Sequence, residues 1–316
     1  MESNHENSPK TGRAVTVGTF DGVHRGHAEV LACLRRHPDC AAVTFDRHPL
    51  EIVCPEKAPE LLCSPRRKRE LLEQAGVEEI IFPFTRESAS MSAADFMRLL
   101  RDRYGASHVV IGYDNTFGSD GRHLTFAQYA ELGRGLGLTV EEAPVLPGIS
   151  SSAIRKAVAA GDIDRANSML GRPFEMEGTV EHGHALGRDL GFPTANLRPG
   201  YRALLPAAGV YVAEAFPEGP EGDFPKGFPA VVNIGVRPTL GDKNAPLVEA
   251  HIIGFSGDLY GRGLRLHFLR RLRDEQKFPD LDALKEAISR DQEAAIAYFS
   301  RHPQEAAINQ QSKTQS

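Results

Sequence analysis

The spacing of apolar positions changes once along the chain. Over 14–170 short apolar runs alternate with stretches whose apolar positions recur every three or four residues. The runs at 15–18, 41–45, 79–82, 108–111 and 138–142 predict strands, and 25–36, 65–75, 92–105 and 126–136 predict helices. Ser92 with Asp95 three residues on is a capping-box pattern, and Gly105 is the stop. Strands alternating with helices at this spacing imply an α/β fold, a parallel sheet with helices on both faces. Two short helices follow at 153–160 and 163–170, split by Gly161 and Asp162, and Gly171, Arg172 and Pro173 end them. Beyond them the period falls to two. Runs at 174–181, 209–216, 230–234, 247–255 and 264–268, punctuated by Gly and Pro, predict a small antiparallel β-barrel with its own core. A final amphipathic helix over 278–299 turns Leu284, Ile288 and Ala295 inward. The expected organisation is a disordered lead 1–13, a first domain 14–170, a second domain 171–300 and a disordered tail 301–316.

Composition narrows the class. The chain has 316 residues, 41% apolar and 25% charged, which suits a soluble protein of two domains. A net charge of −5 and a pI of about 6.2 supply no basic field for nucleic acid, so phosphate binding should be local. Cys33, Cys40, Cys54 and Cys63 show no C-x-x-C spacing, so zinc is not expected and the thiols should be reduced. No apolar run approaches the ~18 residues of a membrane span, and the opening MESNHENSPK lacks an apolar core. The expectation is a cytoplasmic protein with no nucleic-acid or membrane partner and an open oligomeric state. The basic run Arg66, Arg67, Lys68 and Arg69 is expected to be a solvated helix face.

The run VTVGTFDGVHRGH at 15–27 is a strand, a turn through Gly18, Thr19, Phe20, Asp21 and Gly22, and a helix start carrying His24 and His27 with Gly26 between. Unpaired N–H groups and the helix dipole favour a phosphate there. Gly26 leaves room for a nucleotide. The two imidazoles suit donation to oxygens that gain charge as pyrophosphate leaves, rather than nucleophilic attack. A helix start with two surface histidines is the plainer alternative. In GISSSAIR, at 148–155, Ser150, Ser151 and Ser152 can satisfy free helix N–H groups, and Arg155 one turn in offers a bidentate phosphate partner. In GRDLGFPTANL, at 187–197, glycines let backbone approach phosphate. Thr194 and Asn196 project to one side of an extended segment, as hard oxygen donors suited to Mg²⁺ held on ATP.

These motifs carry a resemblance. The runs at 15–27 and 148–155 resemble the G-x-F-D-G-x-H-x-G-H and I-S-S-T-x-I-R motifs of flavin adenylyltransferases. GFPTAN, NIGVRPTL (233–240), Glu249 with His251, DLYG (258–261) and LRDEQKF (272–278) are similar to riboflavin kinases. The whole resembles the bacterial bifunctional riboflavin kinase and FAD synthetase family over about 14–299. The resemblance implies a Rossmann-like nucleotidyltransferase domain followed by a six-stranded Greek-key barrel with a terminal helix. It implies phosphorylation of riboflavin to FMN by Mg²⁺–ATP, then adenylyl transfer from a second ATP to give FAD. It makes Glu249 the base for the ribityl 5′-hydroxyl, and assigns metal to Thr194 and Asn196. ATP or phosphate contacts fall to Gly18, Phe20, Asp21, Gly22, Gly26, Ser150, Ser151, Ser152, Arg155, Gly187, Gly191 and Pro193, with His24 and His27 cradling the triphosphate. Asp114, Asn233 and Arg273 are the expected flavin contacts.

The match breaks in one segment. Where the family has G-x-D-F-R-F-G, this chain has Gly112-Tyr113-Asp114-Asn115-Thr116-Phe117-Gly118, which lacks the arginine. Gly254 also stands where relatives commonly have Asp. Three other readings therefore stay open: a kinase without the second activity, a non-catalytic flavin-binding regulator, and a nucleotidyltransferase for another substrate.

Overall fold

The computed structural model describes residues 12–113, 116–182, 191–219, 222–223, 226–236 and 246–302. Asp114 and Gly187 lie outside the described residues. The chain packs as two units, 1–59 with 65–149, and 60–64 with 150–316.

In the first unit β1 (Arg13–Val17), β2 (Cys40–Phe45), β3 (Glu78–Phe82), β4 (Ala106–Ile111) and β5 (Thr139–Glu142) form one sheet in the order β3-β2-β1-β4-β5. Every pairing is parallel. The crossovers run through α1 (Arg25–Leu34), α2 (Pro49–Val53), α3 (Pro65–Gln74), α4 (Arg86–Ser90), α5 (Ala93–Tyr104) and α6 (Phe126–Gly135). Apolar residues cover both faces of the sheet. Val15, Val17 and Val109 pack with Phe96, Met97 and Leu100 on one side, while Ala14, Ala42 and Val110 pack with Leu31, Leu34 and Leu72 on the other. Strand order reverses at β1, between β2 and β4, so the segment leaving β1 opens at the switch point where such sheets bind ligands. Ser92 caps α5 and Gly105 ends it at φ +69°, as the pattern predicted. The short helices α2 and α4 were not expected. They have no buried stripe and rest on capping boxes, His48 with Glu51 and Thr85 with Ser88.

The second unit contains α7 (Ser151–Ala159), α8 (Ile163–Leu170), β6 (Phe174–Glu181), β7 (Ala195–Arg198), β8 (Gly209–Gly219), β9 (Gly222–Asp223), β10 (Phe228–Val236), β11 (Pro246–Ile252), β12 (Gly263–Arg273) and α9 (Leu281–Arg301). Antiparallel pairing runs β6-β7-β11-β10-β8-β12 and returns to β6, a closed six-stranded barrel with β9 as a spur on β8. Closure leaves no open edge. Phe174, Met176, Tyr211, Val232, Leu266 and Phe268 fill the interior. Gly178 is required where β6 meets the end of β7, because a Cβ there would lie 2.2 Å from the Arg198 carbonyl oxygen. The outer face of β8, β10 and β12 carries Val212, Val231 and Leu269 against Ala295 of α9.

The packing boundary falls at 149/150, whereas the change of period falls at 170. The two mark different things. Asn167 of α8 donates from Nδ2 to the Phe268 carbonyl at 2.9 Å and accepts the Phe174 N–H at 2.7 Å, so helical residues ahead of the period change are fastened to the barrel. Residues 60–64 also join the barrel unit. Leu61 bridges Ala203, donating to the Arg202 carbonyl at 2.8 Å and accepting from Leu204 at 3.0 Å.

Candidate active site

In the first unit the chain leaves β1 through a tightly held turn. Gly18 N–H donates to the Val43 carbonyl at 3.0 Å and Val23 N–H to the Phe20 carbonyl at 3.1 Å. Phe20 (φ +48°), Gly22 (φ +79°) and Val23 (φ +36°) are all left-handed. For a β-branched valine this is an outlier, costing on the order of 1–3 kcal/mol and concentrated at functional turns. The Phe20 ring, 2% exposed, packs with Val30, Leu31 and Leu34, so only its backbone can serve a ligand.

The turn delivers two histidines in a reciprocal cap. His24 is the N-cap of α1; its Nδ1 accepts the His27 N–H at 3.3 Å, and His27 Nδ1 accepts the His24 N–H at 3.2 Å. The rings stack with centroids 3.6 Å apart and planes 15° apart. An N–H aimed at Nδ1 occupies its lone pair. Each neutral imidazole therefore carries its proton on Nε2, as a donor. Gly26 does not leave open room. A Cβ there would lie 3.2 Å from the His24 ring and 3.6 Å from the Ile149 carbonyl, so the missing side chain makes space for protein. Asp21, in the turn ahead of them, is buried. Beyond β4, Tyr129 donates to the Phe117 carbonyl at 2.7 Å and accepts its N–H at 3.0 Å, rooting the segment in which Thr116 replaces the family arginine.

In the second unit Ser150 caps α7, its Oγ accepting the Ala153 N–H at 3.2 Å. Ser151 is half-buried and Ser152 exposed. Arg155 Nε donates to the Glu60 carbonyl at 2.9 Å. Ser150 thus fulfils the capping role, and the arginine's orientation depends on a segment nearly a hundred residues earlier, which local spacing could not reveal.

The barrel brings the kinase-like motifs together. Glu249 of β11 is paired with Asn196 of β7 on one side and Asn233 of β10 on the other. Directly opposed residues share a face, so the three form one row across three strands. Val248, Ala250 and Ile252 occupy the opposite, interior face of β11. Asn196 is 7% exposed and its Oδ1, though buried, has no hydrogen-bond partner among the described residues. A buried, unmet, hard oxygen fits a divalent cation. No three His, Cys, Asp or Glu side chains converge as a metal cage among the described residues. Next to Asn196, Pro193 and Thr194 line a cavity of about 450 Å³ with Ala250, Asp258 and Tyr260. His251 donates from Nδ1 to the Pro193 carbonyl at 2.9 Å, fastening the GFPTAN segment to β11. Gly191, at φ +86°, turns the chain into it.

Arg273, expected at the flavin, is held by α9. Its guanidinium grips Asp291 of α9, Nε to Oδ1 at 3.0 Å and Nη2 to Oδ2 at 2.7 Å, and lies over Phe278. Sequence spacing held no sign of Asp291, which comes from a helix.

The comparisons agree in both halves. Residues 6–155 match the FAD synthetase family model and 170–299 the riboflavin kinase model. A bifunctional riboflavin kinase/FMN adenylyltransferase of Pseudomonas fluorescens is 39% identical over 297 residues, spanning 90% of this chain and 93% of that one. This chain belongs to the bifunctional riboflavin kinase/FMN adenylyltransferase family. An Escherichia coli K12 relative of the same name is 36% identical, spanning 94% and 96%. One from Bacillus subtilis is 33% identical, spanning 90% and 92%. A crystal structure titled as a macrolide-efflux protein from Streptococcus pneumoniae superposes with a TM-score of 0.81 at 29% identity, covering 91% of this chain and 95% of that one. Among the described residues of this family member, no helix is long and apolar enough to cross a membrane.

Proposed function

We propose that this enzyme makes both flavin cofactors in succession, with each reaction in its own unit. It phosphorylates riboflavin to FMN and transfers AMP from ATP to FMN, releasing pyrophosphate and FAD. The observation that carries the site assignment is the row Asn196–Glu249–Asn233, with Thr194 two residues ahead of Asn196 on the segment that enters β7.

In the barrel, Glu249 takes the proton of the ribityl 5′-hydroxyl as that oxygen attacks the γ-phosphorus of ATP, and ADP leaves. General-base help of this kind is worth about 10²–10⁴-fold. Positioning and charge stabilisation carry the rest of a phosphoryl transfer. Asn196 and Thr194 are the groups that would hold Mg²⁺, which supplies charge neutralisation on the ATP oxygens when bound. Asn233 contacts the flavin. In the first unit, a phosphate oxygen of FMN attacks the α-phosphorus of ATP. The Nε2–H groups of His24 and His27 donate to oxygens that gain charge as pyrophosphate departs. The partners are small molecules, riboflavin, ATP, FMN and FAD, and we place the enzyme in the cytoplasm.

An HPLC time course from riboflavin and Mg²⁺–ATP should show FMN rising, then FAD. Thr116 in place of the family arginine favours one second reading, a kinase alone. It predicts that FMN accumulates and that added FMN yields no FAD.

A further inference from the structure

The basic run on α3 is not uniformly solvated. The side chains of Arg66 and Arg69 are more than half exposed, but those of Arg67 and Lys68 are only 12% exposed. Lys68 turns toward the ligand end of the sheet. Its Nζ donates to Thr44 Oγ1 at 2.8 Å and lies 3.8 Å from Glu79, a carboxylate that Arg69 also grips at 2.9 Å. Thr44, fully buried near the end of β2, donates in turn to the Thr19 carbonyl at 3.3 Å. Thr19 stands between Gly18, which is tied to β2, and Phe20, the first left-handed residue of the histidine turn.

The direction of this relay follows from donor chemistry. An ammonium only donates, so the Thr44 hydroxyl must accept from Lys68 and send its own hydrogen elsewhere. The Thr19 carbonyl, which only accepts, is where it goes. A strained turn persists only where its surroundings over-determine it, and the Thr44 hydroxyl is one of the groups that hold it.

We propose that Lys68 is a positioning residue for adenylyl transfer: through Thr44 it fixes the Thr19 carbonyl, and with it the turn that presents His24 and His27. This rests on the first unit carrying FMN adenylyltransferase activity. The energy of keeping a nearly buried ammonium is then spent on the geometry of the turn two contacts away.

The test is a double-mutant cycle on the full chain, Lys68→Met, Thr44→Val and both together, with FAD formation from FMN followed at varied ATP. Each single variant should lower kcat about tenfold or more, as loss of a charge-assisted hydrogen bond would, with KM for ATP within about threefold. The double variant should be no slower than the slower single, since both cut one path. Thr44→Ser, which keeps the hydroxyl, should stay within about threefold of the parent. Losses that multiply in the double variant would overturn the relay. So would a rise in KM for ATP alone, which would make Lys68 a direct ligand, or an unaffected Lys68→Met. Should Thr44→Val not fold, Lys68→Met and Thr44→Ser still decide the matter. A parent chain that makes no FAD from FMN sinks the adenylyltransferase reading instead. A parent that turns over, with an additive cycle, sinks only the relay.

Discussion

Glu249 lies directly across from Asn196 on adjacent antiparallel strands, and on its other side from Asn233. Three segments far apart in the chain thereby place a carboxylate and two amides in one line. If Glu249 is the base, Glu249→Gln should lower FMN formation from riboflavin by about 10²-fold or more, while FAD formation from supplied FMN continues. Equal loss of both activities would mean that the two reactions are not divided as assigned.

Asn196 presents a case where stability and activity should part. Its Oδ1 is buried and unmet among the described residues, a condition that costs about 1–3 kcal/mol. Asn196→Leu should therefore leave the metal-free protein as stable or raise its melting temperature by a few degrees, yet abolish riboflavin phosphorylation. A fall in both would assign the amide a purely structural part.

His27 is expected to serve one reaction only. His27→Ala should reduce FAD formation by about 10²–10³-fold, the usual effect of removing one preorganised donor. Riboflavin phosphorylation, assayed in the same tube, should stay within about twofold of the parent, since the kinase residues belong to the other unit. Loss of both would point to unfolding rather than chemistry.

The Arg273–Asp291 pair is partly buried, with side chains 24% and 10% exposed. Asp291→Ala leaves a guanidinium unpaired and should destabilise the barrel unit by about 2 kcal/mol in denaturant unfolding. If the aspartate also aims Arg273 at the flavin, KM for riboflavin rises as well. An unchanged KM would confine the arginine to fastening α9.

Glu214 supplies a pH signature. It is buried on β8, opposite His267 of β12, which is itself opposite Glu175 of β6. Burial pushes its carboxyl up to about 7, from 4.5. Between those values the folded state holds a proton that the unfolded chain has released. Its contribution to stability is therefore greatest at low pH and declines as pH rises toward and through about 7. Glu214→Gln should flatten the dependence of melting temperature on pH over about 5–8 and raise it at the alkaline end. An unaltered slope would show that other groups set it.

Much of this was legible in the chain because it is local. The α/β alternation, the move to period two, the Ser92 and Gly105 boundaries of α5, and the GTFDG turn all depend on neighbours a few residues apart, where sterics and capping decide. Asn196 and Thr194 are named by a motif, but that Asn196 opposes Glu249 follows only from barrel closure, which sets register between strands some fifty residues apart. Lys68 and Arg69 are adjacent in one basic run, yet one is nearly buried and the other exposed. The sequence by itself determined the longer elements and the chemistry that each carries, since periodicity and turn residues act over short range; the short α2, α4, β7 and β9 it did not mark. Only the tertiary structure decided which donors meet, that Gly26 makes room for the His24 ring, that Arg273 belongs to Asp291, and that α7 and α8 pack with the barrel. Those outcomes depend on burial and long-range pairing, which no stretch of the chain contains alone.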